Sequence, residues 1–288
     1  MKSMYRYIAI SLAAALLCGA LTGCAGPVRL TADGYPRRYE FREVWGYLMK
    51  GEEQELTGSE PFTDLLYFGV SVDRDGKLFG AVAPPQLPAQ GMEARIHLVV
   101  FKLNDPELLH SCLDPKGAIR DNLVNDIAVA AENFAGVQVD FESLMPDDGA
   151  AFISFLADLK ARLPERILSA AVPARLNGNG KKAYDYAAIA AIVDRVFVMA
   201  YDQHWETGPP GPVASLSWCN SVAAYAVSAV PADRLVMGIP LYGRAWQARK
   251  INRAVTHRRA VELARRRVDA GSAPDENEIG RASCRERG

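Results

Sequence analysis

Residues 136–143 read Gly-Val-Gln-Val-Asp-Phe-Glu-Ser. Side chains on a β-strand point to opposite faces in turn. Val137, Val139 and Phe141 therefore share one face, and Gln138, Asp140 and Glu142 share the other. Placing an amide and two carboxylates on a buried strand costs several kcal/mol unless they are paired or used. A parallel barrel resolves the conflict. One face of each strand meets the surrounding helices and the other points inward, with Glu142 nearest the C-terminal mouth where the active sites of such barrels lie. Taken alone, the pattern also fits a salt-bridged core element.

The flanking sequence supports the barrel. Short apolar runs that read as strands fall at 43–49, 64–72, 95–101, 136–143, 167–173, 195–201 and 235–240. They are almost continuously apolar, as strands covered on both faces are. Helical patterns lie between them. Asp114-Pro115 reads as a helix cap and first-turn proline, followed by Ile119, Leu123, Val124 and Ile127 at helical spacing. Phe152, Phe155, Leu156, Leu159 and Leu163 form a second stripe. Further helices are expected at 187–193, 222–230 and 253–268. Strand–helix alternation predicts an α/β fold with a parallel sheet, and polar residues at strand ends favour a (β/α)8 barrel over an open doubly wound sheet. No glycine-rich phosphate loop follows the first strand, which counts against a dinucleotide fold.

The chain has 288 residues and a formal net charge of −1, with no basic excess to suggest nucleic acid. Lys2 and Arg6 precede an apolar run at 7–21, so residues 1–23 read as a secretory signal, too short for a typical transmembrane helix. An uncleaved anchor is the alternative. The ending Leu21-Thr22-Gly23-Cys24 resembles the bacterial lipobox. That resemblance implies lipidation at Cys24, an extracytoplasmic address in the cell envelope and attachment to a membrane surface without spanning it. Residues 24–40 then read as a linker. Residues 279–288 show no apolar periodicity and resemble the translated sequence of a common sequencing adapter. On that reading the barrel runs from 41 to 278 and its eighth strand lies beyond this sequence; a disordered polar tail is the alternative. Of the five cysteines, Cys112 and Cys219 remain in the barrel, without a disulfide spacing pattern. No cluster has metal-ligand spacing, so neither metal nor cofactor is expected. His97 reads as a core histidine, His204 as a neighbour of the mouth, and His110 and His257 as surface residues.

Two carboxylates in partial burial raise the pKa of one of them. An acid still protonated near neutral pH is what cleavage of a glycosidic bond requires. The residues also carry a family resemblance. Residues 135–142 resemble the fourth-strand signature DGxDxDxE of glycoside hydrolase family 18. Met199-Ala200-Tyr201-Asp202 resembles that family's sixth-strand MxYD, and the two motifs stand two strands apart, as the family requires. The resemblance covers roughly 43–278. The stretches 201–205, 208–218 and 238–246 are most similar to the bacterial branch that contains spore-cortex-lytic N-acetylglucosaminidases. In that branch an inserted segment follows the seventh strand, and 247–278 resembles its beginning.

The resemblance implies retaining, substrate-assisted hydrolysis of a β-1,4-linked N-acetylglucosamine glycan, peptidoglycan or chitin, by a monomer. Glu142 would be the acid and then the base. Asp140 would orient the substrate's acetamido group, and Tyr201 would hydrogen-bond its carbonyl. Asp202, Gln138, Met199, Tyr242 and Trp205 would contact the sugar, Trp205 by stacking; a loop-packing role for Trp205 is the alternative. Ala135 and Gln138 replace the signature's first two aspartates. Gln138 can hydrogen-bond but cannot take a proton, which puts the tuning of Asp140 in question. The strand-eight tryptophan of the family has no counterpart here. A non-hydrolysing sugar-binding barrel and a scaffold lipoprotein remain as other readings.

Overall fold

A computed structural model describes residues 41–87, 92–179, 182–247, 250–269 and 279–280. Seven parallel strands form a curled sheet in the order β1-β2-β4-β5-β6-β7-β8. They are β1 (Trp45–Met49), β2 (Asp64–Val72), β4 (Arg95–Lys102), β5 (Gly136–Phe141), β6 (Ile167–Pro173), β7 (Arg195–Met199) and β8 (Leu235–Gly238). All seven lie where the apolar runs predict, and the sheet is an incomplete (β/α)8 barrel. The path ends at β1 and β8. The curl is still tight: the Tyr47 ring on β1 meets the Phe197 ring on β7 at 5.2 Å across the interior. A short β3 (Leu78–Gly80) folds back antiparallel on β2, through a turn in which Lys77 donates its amide to Asp73 Oδ1 at 2.9 Å.

The helices are α1 (Pro106–Leu113), α2 (Ala118–Ala130), α3 (Gly149–Arg162), α4 (Tyr186–Ala190) and α5 (Leu216–Ala229). Leu123 and Ile127 of α2 and Phe155 and Leu159 of α3 share one buried cluster with Val137, Val139 and Phe141 of β5. The Phe141 ring sits 5.6 Å from that of Phe155. The apolar face of β5 is therefore the outer one. A separate inner cluster holds Leu66, Val99, Ala171 and Phe197.

Beyond β8 the chain forms a small antiparallel sheet in the order β10-β9-β11, from β9 (Tyr242–Gln247), β10 (Lys250–Thr256) and β11 (Ile279–Gly280), with α6 (His257–Asp269) after β10. Two helix expectations need correction. The helix expected at 253–268 starts at His257, and the preceding residues pair with β9 instead. Asp114 does not cap α2. Its carbonyl accepts the Gly117 amide at 3.0 Å in a turn, and Gly117 is the cap. The true Asp-Pro cap lies earlier, at Asp105-Pro106, where Asp105 Oδ1 accepts the Leu108 amide at 3.3 Å. Cys112 is buried and Cys219 directs its thiol to the Ala200 carbonyl at 3.7 Å, so the two are not joined. Residues 1–40 and 281–288, including Cys24, the signal and linker expectations, and most of the adapter-like tail, lie outside the described residues. No helix among the described residues is long and apolar enough to cross a membrane.

The base of the barrel is held by charge. Glu43, just before β1, takes Arg195 in two bonds of 2.6 and 2.9 Å. Arg95 links Glu43 (3.3 Å) to Asp64 (2.8 Å), and Thr63 and His97 complete the bonds to Asp64 at 2.7 and 2.8 Å. His97 is thus a core histidine, as its sequence position suggests. Gly136 opens β5 directly against it: a Cβ there would lie 2.5 Å from His97 Nδ1. Burial pushes the Asp64 carboxyl up, but its bonds to His97, Arg95 and Thr63 outweigh that and hold it down at about 2, against an ordinary 3.8. A depressed carboxyl contributes stability above its unfolded pKa and loses it as pH falls toward its folded one. The shift corresponds to about 2 kcal/mol. The thermal midpoint should therefore fall between pH 4 and pH 2, and Asp64→Asn should flatten that part of the profile in a pH series of melting curves.

Candidate active site

The inner face of β5 delivers its polar residues to one place. Gln138 and Asp140 are buried, and Glu142 follows one residue past the strand, half-buried at its C-terminal end. The Glu142 amide still donates to the Lys102 carbonyl at 3.0 Å, so the ladder to β4 extends to it. Ser143 then leaves the strand direction with φ 67°, in the left-handed region that non-glycine residues rarely occupy.

Gln138 is committed to its neighbours. Its Oε1 accepts a short bond from Tyr47 Oη, and its Nε2 lies 3.4 Å from Ser169 Oγ. The amide thereby ties β1 to β5 and β6 across the interior. Asp140 is different. It is 4% exposed, and its Oδ1 has no hydrogen-bond partner within the protein. Burial, and then the nearby Glu142 carboxylate, push the Asp140 carboxyl up from 3.8 to about 7. Tyr201 joins the same pocket. Burial, and then the charge of Asp140, lift its phenol well above the ordinary range. Tyr47 is raised in the same way, first by burial and then by Asp140. The site therefore combines two neighbouring carboxyl groups, one of them able to hold a proton near neutral pH, with two phenols that stay protonated and can donate.

The end of β7 supplies the second wall. Met199 and Tyr201 pack against the inner cluster. Gly238 of β8 leaves room for Phe197 and Tyr201, since a Cβ there would lie 2.7 Å from the Phe197 ring and 2.9 Å from that of Tyr201. Asp202 adopts φ 55° and is clamped from β9. Tyr242 Oη donates to its Oδ1 at 2.7 Å; Arg244 donates Nε to Oδ1 at 3.0 Å and Nη2 to Oδ2 at 2.9 Å. Trp205 stands 55% exposed beyond Asp202, its indole N–H bonded to Thr207 Oγ1 at 2.9 Å. His204 has a loop-building role: Nδ1 meets the Pro212 carbonyl at 3.0 Å, and Gly211 lies against its ring. His110 is exposed as expected, yet it bonds the buried Asp148 at 2.6 Å.

The structure thus brings Gln138, Asp140, Glu142, Met199, Tyr201, Asp202 and Tyr242 to one end of the sheet. The sequence reading missed two participants, Tyr47 and Arg244. Arg244 was within reach of the alternation rule, since it lies two residues from Tyr242 on β9 and shares its face; Tyr47 is two residues from Trp45, to which the sequence assigns no role. No group of three His, Cys, Asp or Glu side chains among the described residues is placed to hold a metal ion.

Residues 119–281 match the family described as glycosyl hydrolases family 18, more than half of the sequence. The chain belongs to glycosyl hydrolase family 18. Among family 18 relatives, the cortical fragment-lytic enzyme of Bacillus anthracis is 30% identical over 225 residues, covering 72% of this chain and 52% of that protein. The chain spans about half the length of this curated relative. The crystal structure of the Bacillus cereus spore cortex-lytic enzyme SleL superposes with a TM-score of 0.66 at 28% identity, over 78% of this chain and 57% of that one. A Chromobacterium violaceum chitinase gives a TM-score of 0.67 at 23% identity, over 78% of this chain and 76% of that one, a likeness of fold alone.

A carboxyl raised to about 7 has a consequence for stability with the opposite sign to Asp64. Its contribution is intact below its unfolded pKa and is lost as pH rises through the folded one. Asp140→Asn should therefore raise the thermal midpoint by several degrees at pH 8 and leave it nearly unchanged at pH 4. Equal effects at both pH values would contradict the raised carboxyl.

Proposed function

We propose that this family 18 chain is a retaining glycosidase acting on β-1,4-linked N-acetylglucosamine polymers of the peptidoglycan or chitin type. The observation that carries the reading is the pair Asp140–Glu142 at the barrel's C-terminal end, with the Asp140 carboxyl pushed up to about 7 and one of its oxygens uncommitted.

The roles are those that the family resemblance implies, and position and chemistry support them. Asp140 and Glu142 share one proton near neutral pH; with that proton on Glu142, half-buried at the strand end, Glu142 donates it to the departing glycosidic oxygen and Asp140 is the carboxylate. The acetamido oxygen of the sugar attacks its own anomeric carbon as that bond breaks, giving a cyclic oxazolinium. Asp140 offers its uncommitted Oδ1 to the acetamido N–H, which places the nucleophile and stabilises the positive charge that develops on it. Tyr201, kept protonated, donates to the acetamido oxygen. Glu142, now a carboxylate, takes a proton from the water that attacks the anomeric carbon on the face the leaving group vacated and opens the oxazolinium ring, so two inversions leave the configuration retained. Asp202, held by Tyr242 and Arg244, presents a fixed acceptor to a sugar hydroxyl, and Met199 lines the floor. Trp205 offers an exposed ring on which the apolar face of a sugar stacks. Gln138 acts at one remove, by fixing Tyr47.

The expected address is the outer face of a bacterial membrane, through lipid on Cys24. Incorporation of a labelled fatty acid that is lost in Cys24→Ser supports it, and a labelled Cys24→Ser protein contradicts it.

Removing a general acid costs about 10²–10⁴ in rate. Glu142→Gln should reduce release of reducing ends from peptidoglycan or chito-oligosaccharide by that factor while leaving the melting curve unchanged. Binding of chito-oligosaccharide without turnover by both proteins would favour the non-hydrolysing sugar-binding reading.

A further inference from the structure

The residue that fixes Glu142 comes from a different part of the chain. Tyr184 lies in the loop between β6 and α4 and is 1% exposed. Its Oη donates to the Phe141 carbonyl at 2.7 Å and accepts the Leu144 amide at 3.3 Å. Those two groups flank Glu142 and Ser143. One hydroxyl therefore bridges the chain immediately before the acid and immediately after the left-handed turn that follows it. Leu144 lies beyond the end of β5 at Phe141, and its amide is met by this hydroxyl instead of by a strand partner. A left-handed φ at Ser143 costs about 1 kcal/mol and persists only where the surroundings impose it. The Tyr184 bridge supplies that imposition.

The clamp is itself held rigidly. The Tyr184 ring meets Phe152 of α3 edge-on at 6.0 Å. Its backbone carbonyl accepts Arg175 Nη1 at 2.7 Å. Arg175 also donates Nη2 to the Gly178 carbonyl at 2.6 Å, and its guanidinium lies over the rings of Tyr186 and Tyr225, 5.7 and 5.2 Å from their centroids. The far end of the acid loop is pinned separately, by Asp148 Oδ2 accepting the Met145 amide at 2.9 Å. Of these contacts, only that of Tyr184 spans the acid itself.

We propose that Tyr184 is a positioning residue for the glycosidase reaction, clamping the backbone on both sides of Glu142 so that its carboxyl is held at the geometry of proton transfer. The proposal rests on the reading of Glu142 as the acid. Tyr184 touches no reacting atom, so it acts on the rate of proton transfer and not on the affinity of the sugar.

The test uses Tyr184→Phe, which keeps the ring and its packing and removes only the bridging hydroxyl, in the full chain. Two measurements separate the clamp from the reaction. Amide hydrogen exchange followed by mass spectrometry on peptides covering 141–148 should be at least tenfold faster in the variant, with exchange in β2 and β4 unchanged. Unaltered exchange at 141–148 overturns the clamp. On a soluble chito-oligosaccharide kcat should fall about tenfold or more, with KM within threefold of the parent. An unchanged kcat, or a loss confined to KM, overturns the positioning role. If the parent and Glu142→Gln are equally inactive, the glycosidase reading and the positioning role fall together, while exchange alone still decides whether the hydroxyl holds the loop.

Discussion

The architecture depends on the two-sidedness of β5. Its outer face, Val137, Val139 and Phe141, is fully buried among helix side chains. Each such side chain contributes about 1.5–3 kcal/mol by leaving water. A one-residue slip in register would exchange the faces, burying Asp140 in the helical layer at a cost of several kcal/mol. The hydrophobic contacts of one face thus determine where the carboxyl groups of the other must go. The chemistry of the site is in this sense a by-product of core packing: what holds the strand in place also desolvates Asp140.

Much of this was legible from sequence. Periodicity located all seven barrel strands because apolar runs bounded by turns are a local signal. The face assignment of Asp140 and Glu142 followed from the period of two. What escaped was non-local or ambiguous. Asp105-Pro106 and Asp114-Pro115 carry the same capping pair nine residues apart, and only tertiary context decides which one starts a helix. The stretch 250–256 mixes basic and β-branched residues, and its pairing with β9 overrode the helical pattern that continues from His257. Arg244 reaches Asp202 across 42 positions and Tyr184 reaches Phe141 across 43. The period of two sets Arg244 on the face of Tyr242, but it does not name Asp202 as the partner, and nothing in the local pattern marks Tyr184.

The substitution at 138 illustrates how a site tolerates a departure from its signature. An amide cannot exchange a proton with Asp140. It can still accept from Tyr47 and approach Ser169, and it brings no third negative charge beside two carboxyl groups. The Asp140 carboxyl is nevertheless raised, because burial is the first cause and the charge of Glu142 the second. The elevated carboxyl therefore does not require a titratable group at 138; a dry interior and one neighbouring charge are sufficient for it.

The ionic floor of the barrel has a temporal side. Glu43 and Arg195 are joined at 2.6 Å although 152 positions separate them. At synthesis rates of about 5–20 residues per second, roughly 8–30 s pass between the two leaving the ribosome's catalytic centre. For that interval the first strand lacks its cationic partner, and so long a loop is slow to close. The ionic floor cannot assemble until β7, the sixth strand of the barrel, has been made.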